Sequence, residues 1–344
     1  MARDHNAWVS RYVIGSGWAS PIMLDTQTYP NYQGGGGAIT SNPTLEVNAA
    51  GRAIAIWGQW VNLTGTVSAP NPSFYEGVWR SDYDIAGDLW GSERPIDNGS
   101  TDGIGGDSPP TTMDAGGDTI TIWKRTTVPN PTGLWADVSG VSGPMSLGVT
   151  QADDPRVAID SQGNAVALWR APVTNAGHSL SASAYNTSKQ TWEAPTSLTA
   201  AGNSDVVSAE LAGNANGEAL AVWEASGSGP GTTIAAALFV PVDPSFRIIG
   251  DNGSWHPLGN LETSSYDATQ PQIAIDAQGN GMAVWLQRTD TKPMLSLWAN
   301  HYTAATSSWD GPVLIESDNA GDVSSPQVAF DGSGTAMVVW SEYD

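Results

Sequence analysis

The stretch PRVAIDSQGNAVALW, residues 155–169, holds the key to the whole chain. A short apolar run, Val157 to Ile159, leads into Asp160-Ser161-Gln162-Gly163-Asn164, and an alternating run from Ala165 to Trp169 follows. Two strand-like runs separated by a few polar residues and a glycine spell a β-hairpin. In such a loop the Asp or Asn side chain accepts a hydrogen bond from the backbone two residues on, and glycine adopts the left-handed conformation without a steric penalty. In the second run Val166 and Leu168 are large while Ala165 and Ala167 are small. Successive side chains point to opposite faces, neither face is polar, and both are therefore expected to be buried.

The frame Asn/Asp-x-x-Gly-x-x-x-x-x-Trp occurs six times, starting at Asn48, Asp114, Asp160, Asn214, Asp276 and Asp331. Its glycines are Gly51, Gly117, Gly163, Gly217, Gly279 and Gly334; its tryptophans are Trp57, Trp123, Trp169, Trp223, Trp285 and Trp340. A proline lies eight residues before the glycine in every copy but one, where Ala209 stands. So regular a period marks a repeat architecture. After each hairpin a weaker pattern supplies two more strands: SLWANHYTAATSSWDGPVLI, residues 296–315, aligns with SLSASAYNTSKQTWEAPTSL, residues 179–198. Successive frame glycines are 66, 46, 54, 62 and 55 residues apart, with the insertions assigned to loops at 62–76 and 240–254. Four-stranded units of this size, repeated about an axis, are the blades of a β-propeller.

The chain stops four residues after Trp340, so the last hairpin lacks its third and fourth strands. The segment NAWVSRYVIGSGWASPIML, residues 6–24, has their pattern. A blade assembled from 6–24 and 324–344 would close the ring and leave no open sheet edge. The expectation is an all-β, single-domain, six-bladed β-propeller over residues 1–344, its four-stranded blades closed by the N-terminal strands completing the C-terminal blade.

Composition narrows the function. The 344 residues carry 35 acidic and 13 basic side chains, a formal charge of −22. Nucleic acid is held through Lys and Arg contacts to phosphate, so it and anionic membrane surfaces are poor partners. Without cysteine there is no disulfide, thiolate nucleophile or Cys-based zinc site. No run of 18 apolar residues is present, so no membrane insertion is expected. The start, MARDHNAWVSRYV, has no apolar signal-peptide region. The acidic composition nonetheless suits a secreted or cell-surface protein whose leader is absent from this sequence. A calcium loop would need several carboxylates, whereas each turn has one and two copies use Asn, so neither metal nor cofactor is expected.

Two residue sets are candidates for ligand binding. Trp18, Trp90, Trp192, Trp255 and Trp309 begin the fourth strands, and polar residues and proline follow, as in Trp192-Glu193-Ala194-Pro195. Flat indoles suit the apolar faces of sugar rings, and repeated weak sites would gain avidity. The structural alternative is packing between blades. Lys124, Arg170 and Glu224 stand immediately after the hairpin tryptophan and differ from blade to blade, variation on a constant frame where a specific site would lie. No catalytic residue is singled out: His5, His178, His256 and His301 fall in no nucleophile or metalloprotease motif.

With these motifs the chain resembles bacterial β-propeller repeat proteins, and the hairpin frame is loosely similar to the Asp-box of sialidase-type propellers, which also joins an Asp turn, a Gly and a Trp. In the Asp-box the glycine comes two residues after Asp and the Trp soon after; here they come three and nine after. The sialidase Phe/Tyr-Arg-Ile-Pro segment has its nearest string in Phe246-Arg247-Ile248-Ile249, without the proline, so sialidase activity is not implied. Architecture and abundant tryptophan are also similar to lectin propellers with sugar sites between blades. These features give the expected function: a non-enzymatic, multivalent carbohydrate-binding module with a carbohydrate or glycoconjugate partner. The alternatives are a glycan-processing hydrolase or lyase with one site at the channel mouth, and a protein-interaction or adhesion scaffold.

Overall fold

All six hairpin turns form by the same local chemistry. Asp160 Oδ1 accepts the backbone N–H groups of Gln162 and Asn164, each at 2.8 Å. Asn48, Asn214, Asp276 and Asp331 bind the N–H groups two and four residues on in the same way, and Asp114 binds that of Asp118. Each frame glycine donates its N–H to the carbonyl of the frame Asp or Asn and has φ between 79° and 95°, the left-handed region that favours glycine. The computed structural model describes residues 6–25, 39–40, 43–62, 74–97, 108–125, 133–173, 177–199, 205–226, 231–241, 253–263, 266–289, 292–316 and 321–343. The insertions expected at 62–76 and 240–254 lie largely outside these residues, and Phe246-Arg247-Ile248-Ile249 entirely so.

The chain is all-β, with a single 3₁₀ turn at Ala304–Thr306 among the described residues, and it divides into two compact units, Met1–Thr150 and Gln151–Asp344. In the first unit, Thr111–Met113, Thr119–Arg125, Gly133–Val138 and Met145–Ser146 form a four-stranded antiparallel meander. The sheet before it is built on Ala53–Asn62 and Phe74–Asp84, and the N-terminal segment forms two short pairs, Trp8–Val9 with Ile22–Met23 and Tyr12–Val13 with Gly17–Trp18. The second unit begins with a sheet of Asp153–Ile159, Ala165–Val173 and Gly177–Asn186, the last strand pairing with both Thr191–Trp192 and Thr196–Ser197. Two more such sheets follow, on Asp205–Gly213 and Ala268–Ile275, and then the pair Val323–Phe330 and Ala336–Glu342. These serial antiparallel meanders are the blade pattern of a β-propeller.

The size alternation packs as the sequence implies. Val166, Leu168, Ala165 and Ala167 are all buried, as are Leu220, Val222, Ala219 and Ala221 on the neighbouring sheet. Five frame tryptophans are between 0% and 6% exposed, and Trp340 is half-buried. The last hairpin departs from the rule: Met337 and Val339 are exposed, because within its unit this two-stranded pair has no sheet over that face.

In the second unit the recurring proline marks a β-bulge. The pairing of first and second strands shifts register between Asp153 and Arg156, Thr269 and Gln272, and Ser324 and Gln327. Pro155, Pro271 and Pro326 sit in these shifts, each after a residue of left-handed φ: Asp154 (48°), Gln270 (53°) and Ser325 (54°). A residue without an N–H fits where the ladder is interrupted. The copy with Ala209 has its shift between Val206 and Ser208.

Turn and tryptophan make different energetic contributions, which denaturant unfolding of two variants separates. Gly163→Ala places a Cβ at φ 79° and should cost about 1–2 kcal/mol; Trp169→Ala, at 1% exposure, should cost about 3–5 kcal/mol. A Gly163→Ala protein as stable as wild type would refute the strained-turn account.

Candidate functional site

Each sheet of the second unit has its Asp- or Asn-turn at one end of the hairpin and, at the other, the bulge and the end of the second strand, joined in all but the last by the start of the third. A repeated bond ties this second end to the next sheet. The N–H groups of His178, Thr232 and Leu295 donate to Asp205, Asp267 and Asp322 at 2.7, 2.9 and 2.8 Å. The aspartates are constant; the residues around them are not.

In the sheet of residues 153–197 this end is a charged cluster. The two positions preceding the frame proline are Asp153 and Asp154, where the next three sheets have Val207 and Ser208, Thr269 and Gln270, and Ser324 and Ser325. Asp153 pairs in register with Arg170, the residue after the hairpin tryptophan. The Arg170 guanidinium forms an ion pair with Asp154 and donates from Nη1 to the Val206 carbonyl of the next sheet at 3.2 Å. The His178 imidazole lies between two carboxylates, Nδ1 being 3.3 Å from Asp205 Oδ1 and Nε2 3.4 Å from Asp153 Oδ2. The side chains are 18% to 47% exposed, so the cluster is reachable from solvent and still partly desolvated.

Glu224, one sheet on, is 7% exposed; it accepts the Gln270 N–H at 3.2 Å and the Ser208 hydroxyl at 3.4 Å. Burial raises its carboxyl above the ordinary 4.5, against the lowering effect of those two bonds. Arg170 and Glu224 thus do the same structural task with opposite chemistry, each reaching the first strand of the following sheet. Lys124, in the first unit, is half-buried. Among the described residues no group of three or more His, Asp or Glu side chains has the arrangement of a metal site.

The five tryptophans are placed elsewhere. Trp18, Trp90, Trp192, Trp255 and Trp309 pack at ring-centroid distances of 5.3 to 5.5 Å against Tyr12, Tyr83, Tyr185, Phe239 and Tyr302, their register partners on the third strand. Trp18 is 72% exposed and the others are half-buried. The indole nitrogens of Trp192 and Trp309, which would donate to a sugar hydroxyl, are buried. Tyr185 lies seven residues beyond His178 on one strand, which separates Trp192 from the charged cluster by about 23 Å at ~3.3 Å per residue.

His178, Asp153, Asp154 and Asp205 carry no motif, and motif reading passes over them. The signal that finds them is column comparison: two adjacent aspartates before one proline only, and a histidine where neighbouring sheets have Thr232 and Leu295. The aromatic pairs have a signal of the same kind. The partner ring stands four residues after the third-strand column, and the sheet at 111–146, which has Ser139 there, also lacks the fourth-strand tryptophan.

The chain matches no protein-family model and no curated protein sequence. Among solved structures it is similar to a protein of unknown function from Dyadobacter fermentans, at 13% identity over 88% of this chain and 93% of that one, TM-score 0.46. It is also similar to a polysaccharide lyase, the PL25 ulvan lyase, at 12% over 87% and 76%, TM-score 0.48, and to an α-L-arabinofuranosidase from Fusarium graminearum, at 11% over 88% and 93%, TM-score 0.39. The expectation of a non-enzymatic, lectin-like module is corrected at this point. The similar structures with a stated activity process glycans, and the tryptophans that motivated the lectin pack against aromatic rings of their own sheets.

Two measurements test this site description. A double-mutant cycle on Tyr302 and Trp309, both changed to Leu, should give a coupling of about 0.5–1.5 kcal/mol, and additive losses would show that the ring pair is incidental. Because the folded carboxyl of Glu224 is raised, its stabilising contribution is complete below 4.5 and is lost as pH rises through the folded value. Thermal melts should therefore fall from mildly acidic to neutral pH, with a smaller fall in Glu224→Gln; an unchanged slope would count against a buried, shifted Glu224.

Proposed function

We propose that this protein is a glycan-processing enzyme of the hydrolase or lyase class, with its acid–base groups in the His178 cluster. The observation carrying this reading is an imidazole held between Asp153 and Asp205, beside the Arg170–Asp154 pair, in one sheet of a repeat whose other described sheets lack it. Repeated structure is explained by packing; an acid–base set present once is not.

Asp205 holds His178 twice, through the backbone N–H at 2.7 Å and through Nδ1 at 3.3 Å, so that Nε2 faces Asp153. An imidazole oriented by one carboxylate and facing a second can take up a proton and return it, the requirement for general acid–base catalysis. Carboxylates are acceptors only, so the cluster suits a substrate rich in hydroxyl donors, which describes a glycan. The cluster holds three aspartates, Asp153, Asp154 and Asp205, against one arginine already paired with Asp154, and a uronate would meet this excess negative charge. That balance favours hydrolysis of a neutral glycan, with Asp153 and His178 exchanging protons with the glycosidic oxygen and water.

The test is a panel of neutral and acidic polysaccharides, scored for new reducing ends and, separately, for the unsaturated ends that elimination leaves. Cleavage of a neutral glycan is expected, and His178→Ala or Asp153→Asn should lower kcat by about 10²–10⁴-fold with the fold intact. Cleavage that survives both changes would move the chemistry elsewhere, and no cleavage of any polysaccharide would refute the reading.

A further inference from the structure

The first unit contains a cleft of about 390 Å³ that the His178 chemistry does not use. Its size is within the range of small-molecule sites. Its apolar lining is Ile85 and Met113 over the buried Ile54; Arg52, Arg80, Asp82 and Asp84 supply charge.

Both arginines depart from the repeat. Arg80 follows the third-strand tryptophan, where the other sheets have Ala136, Ala182, Ala236 and Ala299. It is 8% exposed and saturated: Nε donates to Asp82 at 2.8 Å, and Nη1 donates to the Thr119 hydroxyl at 2.8 Å and lies 3.6 Å from Asp137. Arg80 is therefore a rigid floor with its charge compensated.

Arg52 is different. It stands one residue after the frame glycine, a position whose side chain in the second unit is held inside its own turn. Asn164 and Asn280 donate to Asp160 and Asp276 at 2.9 Å, and Glu218 accepts from Asn214 at 2.8 Å. Arg52 instead extends across the next turn, over Gly117, where an added Cβ would come within 2.6 Å of its Cδ. Among the described residues its guanidinium has no ion-pair partner. Asp84, also in the lining, already accepts the N–H groups of Ala86 and Gly87 at 3.0 and 3.2 Å. The cleft therefore combines a planar donor fork, without an ion-pair partner among the described residues, with the apolar side chains of Ile85 and Met113.

From this geometry we infer that the cleft binds a small amphipathic carboxylate, the carboxylate bidentate on Arg52 and the hydrocarbon body against Ile54, Ile85 and Met113. A guanidinium presents parallel donors that match a carboxylate in shape and charge. The site does not depend on the proposed catalysis.

Benzoate and its neutral isostere benzamide are suitable probes, titrated into the full chain by calorimetry and by two-dimensional NMR. Saturable binding of benzoate is expected, at least tenfold tighter than benzamide, with shifts at Ile85 and Met113. Arg52→Ala should abolish the preference and Arg52→Lys retain part of it; as Arg52 lies at the surface of a turn, an unchanged melt will confirm the fold. Ile85→Asp, at a side chain already 46% exposed, should weaken benzoate independently. Equal affinity for the two probes, or benzoate binding that survives Arg52→Ala, would overturn the inference.

Discussion

The hydrogen bonds that one Asp or Asn oxygen accepts from two backbone N–H groups determine much of this structure. They fix a five-residue turn, and the turn fixes the register of the strands that it joins. Side chains in a strand alternate with a period of two, so a slip of one residue would exchange the large face of each second strand for its small face. Val166 and Leu168 would then occupy the space of Ala165 and Ala167, in a core where both sets are buried. Where the frame residue is Asn, its amide also reaches the next sheet: Asn48 donates to the Asp114 carbonyl at 3.1 Å and Asn214 to that of Asp276 at 3.4 Å. The same side chain sets a turn and joins two sheets.

A scaffold so constrained at one end of its hairpins leaves the other end open to variation. There the repeated bond from a third-strand N–H to the next sheet's Asp holds the backbone, whatever the neighbouring side chains are. His178 can replace Thr232 or Leu295 at that position without altering the main-chain bond. Asp153, Asp154 and Arg170 are tolerated because they compensate one another around a bulge that exists in any case. On the reading proposed above, a few substitutions in columns that packing leaves free would place function on the fold.

The most repeated residues are those whose environment is explained within their own sheets. Tryptophan at five fourth-strand positions has the composition of a sugar platform, and only the ring partners Tyr12, Tyr83, Tyr185, Phe239 and Tyr302 show what each indole is packed against. Arg170 and Glu224 were legible as variable positions, yet their carboxylate and backbone partners belong to neighbouring strands at large sequence separation. Glu224 and Gln270 are 46 residues apart, and His178 and Asp205 are 27. No local motif spans such distances.

The sequence by itself determined what depends on neighbours along the chain: the turns, through Asp or Asn and glycine; the strands, through alternation; and the repeat, through the spacing of the frame. Even the proline that recurs in five of the six copies was visible there, though not its place in a bulge. Only the tertiary structure decided which charges meet. His178 acquires Asp205, and Arg80 acquires Asp137, because adjacent sheets bring distant columns within a few ångströms. Turn chemistry is a property of five consecutive residues, whereas an acid–base site is a property of side chains from several strands, and only folding brings those together.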